Sequence, residues 1–147
     1  MATLVLIDLN SQASFEFQYF PDEVQTRLHP NWRPQDVTIG IKPLLYENSD
    51  PELLTFPELW MDESYTNESL TETLQSLKEF AAAEVEDRGA PPPLLATWGD
   101  RKQLCVLQDL TIAETFFSDN GEPIRARLSM ELIQIQDEGE AVGVNIT

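Results

Sequence analysis

Several runs of the chain alternate apolar and polar residues with a period of two, the pattern of a strand with one buried face. The clearest is Ile124, Ala126, Leu128, Met130 and Leu132, interleaved with Arg125, Arg127, Ser129 and Glu131. Ahead of it, Asp119-Asn120-Gly121 is turn chemistry, because Asn and Gly tolerate positive φ. Residues 103–117, before the turn, are rich in apolar, β-branched and aromatic side chains. Together these segments predict a long hairpin near the C-terminus, with both arginines pointing away from its apolar face. Upstream, residues 3–9, 14–20, 36–41 and 53–61 also read as strands. In the second, Phe15, Phe17 and Tyr19 share a face; in the third, Val37, Ile39 and Ile41 do. Pro57 marks the fourth as an edge or bulged strand, since proline gives no N–H to a ladder. The stretches "DEVQTRLHPNWRP" and "KPLLYENSDPEL" read as proline-bounded connections.

The period then changes. Ser69-Leu70-Thr71-Glu72 has the form of a capping box, and Leu70, Leu74, Leu77 and Ala81 follow at helical spacing. Gly89 and Pro91 are the expected stop, which predicts a helix of about four turns. "GAPPPLLATWGD" reads as a stiff link into a short strand that turns at Gly99-Asp100. The chain has no internal repeat. Residues 1–136 read as one domain and residues 137–147 as a polar, loosely held tail. The expectation is a mainly β (α+β) protein, antiparallel, with one packed helix.

A hydrophobic content of 41% suits a folded domain, but 26 acidic residues against nine Lys and Arg give a net charge of −17. That excess argues against sequence-independent binding to nucleic acid, which needs cations to displace counterions. It equally disfavours docking on anionic membranes. An acidic chain stays dispersed by repulsion, meets a basic partner, or imitates nucleic acid. The single cysteine, Cys105, allows no intrachain disulfide, and no stretch has the length of a membrane span. The N-terminus lacks the basic start and cleavage site of a signal peptide, so a cytoplasmic chain is expected.

Catalytic chemistry is hard to assemble from these residues. The one histidine, His29, lies in "RLHPNWRP", and no Gly-x-Ser-x-Gly elbow accompanies any serine. With one His and one Cys, zinc sites of the usual kind are excluded, and Cys105 in "QLCVLQDL" reads as a buried small hydrophobe. The acidic runs "EVED" (84–87) and "DEGE" (137–140) lack the ligand spacing of a calcium loop and read as solvated charge. Trp32, Trp60 and Trp98 read as core or interface. The expectation is a non-enzyme without cofactor or metal, acting by binding or assembly. Arg125 and Arg127 then have two readings: a solvated face, or forks that pair with carboxylates of a neighbouring copy.

In order along the chain, "FEFQYFPDEV", "LLTFPELWMDESYTNES", "PPPLLATWG" and "LCVLQDLTIAETFFSDNGEPIRARLSMEL" together resemble the tube-type proteins of contractile injection systems, the phage-tail-like particles of bacteria. They are most similar to the baseplate tube initiators, some of which carry a LysM module. Phe20 stands where that family usually has Asn before the proline, and the chain ends too soon after the hairpin to expect a LysM module. The resemblance implies a β-barrel or sandwich of the tail-tube type with a helix packed outside. It implies a homo-oligomeric ring, six copies, between spike hub and inner tube, with tube, hub and other baseplate subunits as partners. It also implies interface positions within the matched segments, for which Arg125, Arg127, Pro123 and Trp98 are the candidates. The competing reading of the same acidic chain is an inhibitor or DNA-mimic module acting on a basic partner.

Overall fold

A computed structural model describes residues 2–82 and 90–135. The strands are β1 (Leu4–Asp8), β2 (Ser14–Glu16), β3 (Gln25–Arg27), β4 (Pro30–Pro34), β5 (Leu44–Ser49), β6 (Leu53–Asp62), β7 (Leu94–Trp98), β8 (Arg101–Phe117) and β9 (Pro123–Gln134). One helix, α1 (Thr71–Lys78), lies between β6 and β7. Seven strands form one antiparallel sheet in the order β2-β1-β7-β8-β9-β6-β3, and β4 and β5 pair only with each other. The mainly β, antiparallel expectation holds, with one qualification. The sheet does not close into a barrel within one chain; β2 and β3, three residues each, are its free edges.

Period-two alternation in β9 does what its pattern dictates. Ile124, Ala126, Leu128, Met130 and Leu132 are all buried, while Arg125 and Arg127 face the other way. The buried face curls strongly. Phe56 on β6 meets Trp98 on β7 edge to face, ring centroids 5.9 Å apart, although β8 and β9 stand between their strands. Helix α1 covers this face with Leu70, Leu74, Leu77 and Phe80, and Phe80 reaches Phe15 on the β2 edge at 6.3 Å. Burying each such side chain is worth roughly 1.5–3 kcal/mol, so the helix is held by packing more than by its own propensity. Pro57 sits at a register shift between Phe56 and Leu59, beyond the residues that β3 pairs, so β6 is bulged and locally an edge there.

Four expectations need correction. The helix ends after two turns, not four. After Lys78 the bonds tighten to three-residue steps, with Phe80 N–H donating to the Leu77 carbonyl at 3.0 Å and Ala81 N–H to that of Lys78 at 3.0 Å. This turns Phe80 into the core; the expected stop at Gly89 lies outside the described residues. The capping box is not formed either. Ser69 Oγ accepts from the Thr71 N–H at 3.1 Å, and the Leu70 N–H donates to the Pro123 carbonyl at 2.8 Å, tying the helix start to β9. Residues 36–41 form no strand: Ile39 is 88% exposed and Ile41 96%, at the tip between β4 and β5. The two segments read as connections hold β3, β4 and β5. Pro30 and Pro34 are compatible with β4 because a two-stranded ribbon consists of edges. The 137–147 tail and the "EVED" and "DEGE" runs lie outside the described residues.

Candidate assembly surface

Beyond the core, three surfaces stand out: the outer face of the β8–β9 hairpin, the β4–β5 arm, and a groove beside the middle of β6. The hairpin turns through Asp119-Asn120-Gly121. Gly121 N–H donates to the Ser118 carbonyl and Ser118 N–H to that of Glu122, both at 2.9 Å. Of the three, only Gly121 has positive φ, +82°. This is a type I turn followed by a left-handed residue, the usual three-residue hairpin loop. The far half of β8 outruns the core and leaves Phe116 and Phe117 half-exposed at its end.

Arg125 and Arg127, alike in the sequence, differ in the fold. Arg125 Nε donates to Asp62 Oδ2 at 3.2 Å, and its guanidinium lies 5.5 Å from the Phe116 ring centroid. The Ser64 hydroxyl and backbone N–H, then the Arg125 guanidinium, hold the Asp62 carboxyl below its ordinary pKa. Arg127, opposite Trp60 and Ala113 in the ladder, is exposed and makes no ion pair among the described residues. The other two candidates are largely inside the subunit. Pro123 is buried at the root of the turn, where its carbonyl receives the helix N–H. Trp98 is 5% exposed, with the Arg101 guanidinium 4.7 Å above its ring and no acceptor for its Nε1–H among the described residues.

The arm was not legible as a unit. It is built by cross-strand pairs: Trp32 against Tyr46 with centroids 5.5 Å apart, Asn31 donating to Asn48 at 2.9 Å, and Arg33 paired with Glu47 at 3.5 Å. Across its loop Lys42 pairs with Asp36 at 3.3 Å. Residues 28–46 supply most of the large exposed hydrophobic side chains, among them Trp32, Ile39, Ile41, Leu44 and Tyr46. The one available signal was compositional: an aromatic- and aliphatic-rich stretch bounded by prolines, with too few partners to be core.

The groove, about 700 Å³, has Phe17 and Leu59 in its floor and Tyr19, Phe20 and Trp60 on its sides, with the Asp62–Arg125 pair at its end. Trp60 Nε1 donates to Glu58 at 2.6 Å, and Gln18 bridges to the Asp62 backbone, donating to its carbonyl at 3.0 Å and accepting from its N–H at 2.7 Å. These bonds fix the wall.

The remaining sequence candidates fall elsewhere. Cys105 is fully buried opposite Leu94, and burial pushes its thiol pKa up to about 12, so it behaves as a small hydrophobe. His29 is exposed at the root of the arm, its carbonyl accepting from the Asp50 N–H at 2.9 Å. Among the described residues no three His, Cys, Asp or Glu side chains group as metal ligands. No helix among them is long and apolar enough to cross a membrane.

Among the described residues, an open antiparallel sheet with short edge strands, an exposed apolar arm and a groove are surfaces that another chain can cover. The family comparison agrees: the model of the contractile injection system tube protein family matches residues 8–142, and the chain belongs to that family. A comparison with curated proteins gave no match. The chain is therefore a structural component of an injection particle, which supersedes the inhibitor or DNA-mimic reading of its charge.

Proposed function

We propose that this chain forms a six-membered ring that starts the inner tube on the spike hub, as a baseplate adaptor. Assembly in the cytoplasm, without nucleic acid and without membrane insertion, belongs to this reading, as does residues 1–136 acting as one domain. The observation that carries the ring is the unsatisfied surface of a single copy: free edges β2 and β3 together with the exposed apolar arm. Exposed edges and apolar patches of this kind invite pairing with another chain. The initiator position is supported by the resemblance of the ordered segments to baseplate initiators. Charge sets a condition on it. Six copies at −17 each sum to about −100, which opposes assembly unless apolar contact and well-placed cations offset the repulsion.

Of the two β9 arginines, Arg127 makes no ion pair among the described residues, whereas Arg125 is already engaged with Asp62 of its own chain. Arg127→Glu therefore tests the contact without breaking an internal pair. Its monomer stability should change by no more than about 0.5 kcal/mol, as for other surface substitutions. Mass spectrometry of purified injection particles should find the wild-type chain at a few copies per particle and the variant strongly depleted. A wild-type chain absent from the particles rejects the function, and a variant present at wild-type level returns Arg127 to a solvated face.

A further inference from the structure

The geometry points to one specific contact: we propose that the β4–β5 arm of one copy seats its tip, Ile39 and Ile41, in the Phe20–Trp60 groove of a second copy of this chain. This rests on the ring-forming reading and says how one copy holds the next. Three observations carry it. First, the arm stands apart from the sheet. Among the described residues its strands pair only with each other, linked by the Trp32–Tyr46 contact and two exposed ion pairs. It nevertheless presents Ile39 at 88% and Ile41 at 96% exposure, which a lone chain gains nothing by displaying. A paired ribbon loses less conformational freedom on docking than an unpaired segment would.

Second, charge selects the occupant. Between Pro30 and Ser49, Arg33 and Lys42 balance Asp36 and Glu47, so the arm is neutral while the rest of the chain carries the whole −17. The arm is the part of this protein that can approach another copy without adding to the repulsion. The groove suits a neutral occupant: its floor and sides are apolar and aromatic, Asp62 pairs with its arginine, and the further carboxylates Asp22 and Glu58 would repel an acidic one.

Third, the two features lie apart along β6. The arm leaves the sheet beside Leu53, where β6 begins, and the groove is lined by Glu58 to Asp62, in its second half. At about 3.3 Å per residue the root of the arm stands roughly 15–30 Å from the groove. A tip-to-groove contact made in one direction is head-to-tail and propagates into a closed ring or a stack, whereas reciprocal exchange between two copies would stop at a dimer.

The test places thiols beside the contact and leaves the contact residues intact: Thr38→Cys with Asp22→Cys in one chain, both positions exposed. Purified particles carrying this variant are treated with a short bis-maleimide and run on a denaturing gel. The expected result is a ladder of cross-linked chains, absent from either single variant and reduced at least tenfold when Ile39→Ser and Ile41→Ser are added. A fast-migrating monomer would show an arm folded into its own groove and overturn the proposal. Single, unlinked chains in intact particles would overturn it too, showing that the arm covers another protein. Recovery of the wild-type chain in the particles reads the ring-forming function separately, so the two failures are distinguishable.

Discussion

Asp62 and Arg125, 63 positions apart, show what the residue scale hides from a linear reading. The alternation in β9 correctly put Arg125 and Arg127 on the polar face, because period two depends only on neighbours. That one of the pair is spent on Asp62 depends on the register between β6 and β9, which no local pattern encodes. The Asp62 carboxylate, held by the Ser64 hydroxyl and N–H first and by Arg125 after them, has a pH signature. Because the Asp62 pKa is lowered on folding, its contribution is fully present above the ordinary carboxylate value near 3.8 and is lost as pH falls through the lower folded value. Thermal melts of wild type and Asp62→Asn should therefore differ at pH 7, and the gap should close on acidification below about pH 4. A gap unchanged down to pH 3 would contradict the assignment.

At the scale of elements, legibility followed burial. The hairpin and β1, β6 and β7 were readable because each packs one face on the core, and burial imposes the period that a sequence displays. The arm broke the rule from both sides. Its strands carry no core face and so looked like connections, while the alternating Val37, Ile39 and Ile41 looked like a strand yet sit in the exposed loop. On the docking proposal, alternation there records side chains kept for a partner. The helix start was half legible: Ser69 does accept from a helix N–H, that of Thr71, but it stands before the N-cap Leu70, whose own bond to Pro123 is long-range. The hairpin loop offers a direct check. Gly121 has φ +82° and nothing within 4 Å of a Cβ built there, so Gly121→Val meets only backbone strain. That costs about 1–2 kcal/mol, a fall of several degrees in Tm for a chain of this size. An unchanged Tm would mean the turn is not held in this geometry.

At the scale of the whole molecule, the tube-type family was legible in the order of four segments, each weak alone, and the match over residues 8–142 bears it out. The surfaces proposed here as contacts were not legible. Groove and arm arise only when Phe20, Trp60 and Asp62 are brought together and the β4–β5 ribbon is lifted off the sheet. Both features are incomplete in a single chain, as are the sheet edges. The proposed place of this chain is a ring where the tube begins. Electron cryomicroscopy of purified injection particles reads it directly. The account requires a single layer of six copies at the spike-proximal end of the tube, the arm of each lying against the next copy. Density for this chain repeated along the whole tube, or found only outside the tube wall, would contradict it.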